Sequence, residues 1–145
     1  MARVETAITI NKPLEEVFAF LGQAENHRRF IPGMLEFKQT SAGSLGQVGA
    51  TARGVRSDFG LKTPVLYEIT EYEPNRTLGM KGVMGPILFR DGYVLDRQGS
   101  ATRVNFWLEL TFMGLAKLAQ PLVFLIGKTH AGETLANLKK EIEAG

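Results

Sequence analysis

Polar and apolar residues alternate at the start of the chain. Val4, Thr6, Ile8 and Ile10 are set against Arg3, Glu5, Ala7 and Thr9, the period-two signature of a half-buried strand. The period then lengthens. Asn11 and Pro13 mark a helix start, Glu15 and Glu16 fall in the first turn where the helix dipole favours anions, and Leu14, Val17, Phe18 and Leu21 make one apolar stripe that ends at Gly22. A second short helix is predicted over 24–30, stopped by Pro32-Gly33.

From residue 34 to 112 the pattern is that of strands cut by turn signals. Strands are predicted at 35–40, 48–56, 64–72, 76–83, 87–96 and 102–112. The punctuation is a turn at Ser41-Ala42-Gly43-Ser44, a bend at Ser57-Asp58-Phe59-Gly60, and turns at Pro74-Asn75 and Arg97-Gln98-Gly99-Ser100. The last strand alternates most cleanly, with Val104, Phe106, Leu108, Leu110 and Phe112 on one face and Arg103, Asn105, Trp107, Glu109 and Thr111 on the other. Helical spacing then returns. Leu115, Leu118, Leu122 and Ile126 run down one side, Leu135, Leu138 and Ile142 continue an apolar stripe, and Lys139 and Glu143 form an exposed i, i+4 pair. Pro121 lacks a backbone donor, so a kink or a break is predicted near it, with a short segment before and the long helix after.

This order of elements defines an α+β domain in which one amphipathic helix closes a curved antiparallel sheet. A single helix cannot fill the concave face of such a sheet, and the space left over is an internal cavity suited to apolar molecules. At 145 residues the chain reads as one domain, 1–145, large enough to build its own core. There is no cysteine, which removes disulfides, thiolate metal sites and cysteine nucleophiles together. The formal net charge is only +2 and the charges are scattered, which argues against a nucleic-acid surface. Met1 leads straight into strand pattern without a signal-peptide arrangement, and the most apolar stretch, 118–127, is half the length of a membrane span; a soluble, cytoplasmic protein is expected.

Most catalytic motifs fail on inspection. Gly127-Lys128-Thr129 resembles the end of a phosphate-binding loop, but Leu122 stands where the leading glycine belongs and no strand precedes it. Gly43, Gly46 and Gly49, and Gly79, Gly82 and Gly85, lie in strand pattern and read as bulges or bends. No Gly-x-Ser-x-Gly elbow is present. The two histidines have no metal-ligand spacing; His27 is expected on the exposed face of the second short helix, and His130 on a helix flank or reaching the cavity. No cofactor and no metal is implied.

Alternation places Phe89, Asp91, Tyr93 and Leu95 on one inward face. A carboxyl there would have a raised pKa and could donate or accept a proton, unless Asp91 lies near a strand end or pairs with Arg53. Tyr67, between Val65 and Ile69, shares an inward face, either as a phenol offered to a ligand or as a packed core residue. Trp107 falls on the polar face and is expected outside, packed across strands or at a dimer contact.

Three segments, ITINKPLEEVFAFLGQAENHRRFIPGM, YEITEYEPNRTL and GYVLDRQGSATRVNFWLEL, resemble the START-like SRPBCC superfamily, in its polyketide cyclase/dehydrase and lipid-transport branch. With the terminal helix they span nearly the whole chain. The resemblance implies a helix-grip fold: a seven-stranded antiparallel sheet wrapped around the C-terminal helix, with two short helices after the first strand and a cavity between helix and sheet. It also implies a ligand of lipid, sterol, quinone, polyketide or hormone type, and in some relatives cyclisation or dehydration of a polyketide.

Two functions follow. In the favoured one the chain binds a small hydrophobic molecule. Met80, Phe89, Tyr93, Leu95, Phe106 and Leu108 form the sheet wall, Leu122 and Ile126 the lid side, and Tyr67, Asp91 and Tyr93 orient a polar end. In the alternative, Asp91 is a general acid or base and Tyr67 polarises a carbonyl in a cyclase or dehydratase acting on a polyketide-like or aromatic substrate. Other expected partners are a transient membrane contact through 118–126, without stable insertion, and a second copy of the chain through the Trp107 face.

Overall fold

The structure, a computed structural model, describes residues 2–42, 45–58 and 60–145. The parts of the expected turns that fall on Gly43, Ser44 and Phe59 lie outside the described residues. Strand β1 (Ala2–Ile10) leads into helix α1 (Leu14–Leu21), whose residues Leu14, Val17, Phe18 and Leu21 are all buried, as their spacing dictates. The expected second helix is split into a 3-10 turn, Ala24–Asn26, and a short α2 (His27–Phe30). Strands β2 (Met34–Gln39), β3 (Thr51–Asp58), β4 (Leu61–Glu73), β5 (Thr77–Met84), β6 (Ile87–Gln98) and β7 (Ala101–Phe112) follow as a meander. One antiparallel sheet results, in the order β1-β7-β6-β5-β4-β3-β2, with α1 and α2 carrying the chain from one edge to the other.

Two bulges change which residues face inward. Ile69 pairs with Met80 but Glu71 pairs with Gly79, so Thr70 is the extra residue and the inward position passes to Tyr72, which packs its ring on Phe18 at 5.6 Å. A second slip between Met34 and Glu36 buries Met34 and Phe37 and leaves Leu35 exposed. Bulges of this kind increase local twist and curl the sheet, and the curl makes the concave face that the last helix covers.

After a 3-10 segment, Gly114–Ala119, helix α3 runs from Gln120 to Ala144 with Pro121 in its first turn, where no intrahelical donor is lost. The proline therefore marks a start and does not kink the helix. Ala131, Leu135, Leu138 and Ile142 are buried on the sheet. Gly127 is what lets the helix come so close: a Cβ there would stand 3.3 Å from Val4 Cγ2 and 3.8 Å from Leu108 Cδ2. The end of α3 is pinned to β1. Lys139 Nζ donates to Thr9 O at 2.7 Å and to Glu143 at 2.6 Å, and Glu143 accepts the Asn11 N–H at 2.8 Å. The i, i+4 pair is thus partly buried tertiary glue, not the exposed pair its spacing suggested.

His27 is the clearest departure from expectation. It is fully buried, its ring stacked on Phe37 with centroids 4.7 Å apart and its Nε2 2.7 Å from the Leu21 carbonyl. The helix is so short that its polar-looking face is turned into the core to cap the end of α1.

Candidate functional site

Helix α3 lies close on β1 and β7 but stands away from the middle of the sheet. The gap is a cavity of about 340 Å³ between α3 and the concave face of β3 to β7. Its floor and walls are aromatic and aliphatic: Tyr67, Phe89, Tyr93 and Phe106, with Val65, Met80 and Leu108. The mouth is formed by Ile31, Met84, Ile87, Phe112 and Ile126, together with Arg56, Asp58 and His130. A wider polar groove of about 830 Å³ lies on the opposite, convex face beside Trp107. It is more open to solvent and holds no buried titratable group, so the cavity under α3 is the better site.

The rings are in contact with one another. Phe106 packs on Tyr93 at 4.8 Å, Tyr93 on Phe30 at 6.4 Å, Phe30 on His27 at 5.2 Å, His27 on Phe37, Phe37 on Tyr67 at 4.7 Å, and Tyr67 on Phe89 at 5.3 Å. An arc of aromatic side chains from five elements therefore runs under and around the cavity. Such pairs contribute roughly 0.5–1.5 kcal/mol each beyond area burial, which makes the floor rigid.

Into this apolar enclosure β6 points a carboxyl. Asp91 stands opposite Met80 on β5 and Leu108 on β7, and its Oδ1 is buried with no hydrogen-bond partner among the described residues. Burial raises its pKa from 3.8 to about 7. Burial also raises the pKa of Tyr67 and Tyr93, helped by the nearby Asp91 charge, so both stay neutral phenols. At the mouth, Arg56 donates two hydrogen bonds to Asp58, Nε to Oδ2 at 3.2 Å and Nη2 to Oδ1 at 3.1 Å. Burial is the main cause that lowers His130 to about 4, with the Arg56 charge adding to it. His27, below the floor, is likewise pushed down to about 4 by burial.

Of the residues proposed from the sequence, Tyr67, Met80, Phe89, Asp91, Tyr93, Phe106, Leu108 and Ile126 are brought together around the cavity. Leu95 is not; it is buried deeper in the core, where β6 passes beneath α1. Leu122 is not either. It sits one helical turn before Ile126 and is 57% exposed. Arg53, the suggested partner of Asp91, is exposed on the outer face. The arginine that reaches the cavity is Arg56, which shares the inward face with Ala52 and Gly54; those two small residues gave too weak an apolar signal to reveal it. His130 lines the cavity mouth. Trp107 is on the convex face as expected, with the Arg3 guanidinium 4.6 Å from its ring centre. Its indole lies over Gly92, where a Cβ would meet Nε1 at 2.5 Å.

Among the described residues no group of three His, Asp or Glu side chains could hold a metal ion, and no helix is long and apolar enough to cross a membrane.

A curved seven-stranded sheet gripping one long helix over an apolar cavity defines a helix-grip protein. Residues 1–143 match the family described as polyketide cyclase / dehydrase and lipid transport, and the chain belongs to that family. No curated protein matches the sequence. Solved structures do. The protein TTHA0849 of Thermus thermophilus aligns with a TM-score of 0.82 at 18% identity, over 99% of this chain and 98% of that one. The Zhui aromatase/cyclase of a Streptomyces species aligns with a TM-score of 0.83 at 11% identity, over 98% and 93% of the two chains. Ara h 8.0201 aligns with a TM-score of 0.72 at 12% identity, over 99% of both. At these identities the likeness is one of fold.

Proposed function

We propose that this chain is a single ligand-binding domain, 1–145, that takes up one small hydrophobic molecule between the sheet and α3. The observation that carries the reading is the cavity itself: an aromatic floor, aliphatic walls and one orphaned carboxyl at the bottom. Burying a ligand's apolar surface there is worth roughly 25 cal/mol per Å² before the costs of association. A cytoplasmic binding or transfer role fits, with the apolar segment around Leu118 and Leu122 making transient membrane contact and the Trp107 face open to a second copy of the chain.

The test is native mass spectrometry of freshly purified protein, then denaturing extraction. A stoichiometric companion of fixed mass supports the reading, whereas a protein that is empty and takes up no hydrophobic probe overturns it.

One observation favours a second reading. A lone carboxyl that titrates near neutrality beside a phenol is suited to general acid–base work, with Asp91 moving a proton and Tyr67 polarising a carbonyl in a cyclisation or dehydration. The Zhui aromatase/cyclase shows that the fold carries such chemistry. Turnover of a poly-ketone substrate that disappears in Asp91→Asn would establish it, and turnover unchanged in that variant would remove it.

A further inference from the structure

We infer that the floor of the cavity is a binding pole for a protonated amine: the ligand is an aromatic or hydrophobic molecule whose ammonium group lies against Asp91 between the surrounding aromatic rings. This rests on the cavity being the ligand site, and adds the chemical class of ligand it selects.

The first argument is one of unmet need. Asp91 lines the cavity, and its Oδ1 is buried and finds no hydrogen-bond partner among the described residues. A carboxyl has more acceptor sites than donors in either protonation state, so the group that completes it best brings N–H donors. A ketone or ether brings none.

The second argument is the charge of the surroundings. Tyr67, Phe89, Tyr93 and Phe106 line the same space as Asp91, and aromatic rings offer cations a favourable electrostatic contact. No cation of the protein competes. Arg56 is engaged by both oxygens of Asp58 at the mouth, and His130 is held neutral down to about pH 4. An anionic head group on the floor would meet the Asp91 carboxylate, while the cavity's arginine, Arg56, is already paired with Asp58. A cationic one meets a carboxylate among aromatic side chains, and the two charges cancel as both leave water.

The third argument is that the titratable neighbours leave the pH dependence readable. Facing Asp91 are Tyr93 from β6 and Tyr67 from β4, both neutral across the working range; Arg56 and Asp58 from β3, already paired; and His130 from α3, which titrates well below neutrality. The lining residues of β5 and β7 and the segment after α2 contribute no titratable side chain. Between pH 5.5 and 8 the cavity therefore changes charge at Asp91 alone.

The experiment is isothermal titration calorimetry of the whole protein with three naphthalene probes of one shape, 2-(2-naphthyl)ethylamine, 2-(2-naphthyl)ethanol and 2-naphthylacetate. At pH 8 the amine is expected to bind about tenfold or more tightly than the alcohol, and the carboxylate weakest. Lowering the pH to 5.5 protonates Asp91 while the amine stays charged, so amine affinity falls roughly tenfold or more and the alcohol's does not. Asp91→Asn, verified as folded by circular dichroism, is expected to abolish the difference between amine and alcohol. Alcohol binding as tight as amine binding at pH 8, or amine affinity that does not fall toward pH 5.5, overturns the inference while leaving the cavity reading intact. The wild-type pH series decides this even if the variant does not fold. If none of the three probes binds, both readings fall together.

Discussion

The two halves of α3 are built from similar residues and behave as different materials. From Ala131 to Ile142 the apolar positions are buried, and the polar ones are tied down: Asn137 donates to Phe30 O at 3.1 Å, Arg29 pairs with Glu141 at 3.1 Å, and Lys139 and Glu143 hold the end of β1. Before that, Leu122, Leu125 and Ile126 are all more than half exposed, as are Leu115 and Leu118 in the 3-10 segment that leads into the helix. The lower half closes the core and the upper half closes a cavity. A helix that had to seal a solid core could not leave three large aliphatic side chains more than half exposed. One that serves a cavity mouth gains from an end that is weakly held.

That contrast has measurable consequences. The largest is in stability: Leu138→Ala empties a fully buried position and should cost about 2–5 kcal/mol in chemical denaturation. Equal losses at Leu138 and Leu122 would mean that the exposed half is packed in solution after all.

Next is the cavity floor. Asp91 is raised from 3.8 to about 7 in the folded chain, so the folded state binds the extra proton in that window and stability is lost as the pH rises through it. Asp91→Asn should therefore be more stable than the wild type at pH 8, on the order of 4 kcal/mol, with the gain shrinking as the pH falls from 7 and nearly gone by pH 4. A variant less stable at pH 8 would show that the carboxyl is structural.

His27 and His130 have the opposite sign. Both sit at about 4 against an ordinary 6.5, so the folded state binds fewer protons than the unfolded one and stability falls as the pH drops through that window. Each contributes up to about 3 kcal/mol, and His27→Phe should flatten its share of the acid limb. A smaller effect should appear in hydrogen exchange, where backbone amides of 131–142 are protected at least about tenfold more than those of 122–126. The smallest is Leu122→Ala, within about 0.5 kcal/mol of the wild type.

The sequence carried the fold because each element had its own period. The strict alternation of β7 and the i, i+3, i+4 stripe of α1 are one-dimensional records of a sheet face and a buried helix face. It carried much of the cavity wall for the same reason, since Asp91 and Tyr93 follow from Phe89 by counting in twos. What it could not carry was set by contacts distant along the chain. Leu118 and Leu122 look like core because leucines at helical spacing usually are, and only the end of the sheet beneath them decides otherwise. His27 looks like surface because a four-residue helix has no readable face; stacking on Phe37 buries it. Arg56 was hidden by the small neighbours that make room for it.

Trp107 lies on the far side of the sheet from the cavity, and it is the sole tryptophan of the chain. Its emission therefore reports on the convex face, through the Arg3 guanidinium and the backbone of Gly92 beneath it. The chromophores that line the cavity are two of the three tyrosines, Tyr67 and Tyr93. Filling the cavity should thus leave the tryptophan spectrum in place and act on tyrosine absorbance and on energy passed through the sheet. The protein carries one optical probe for each of its two faces.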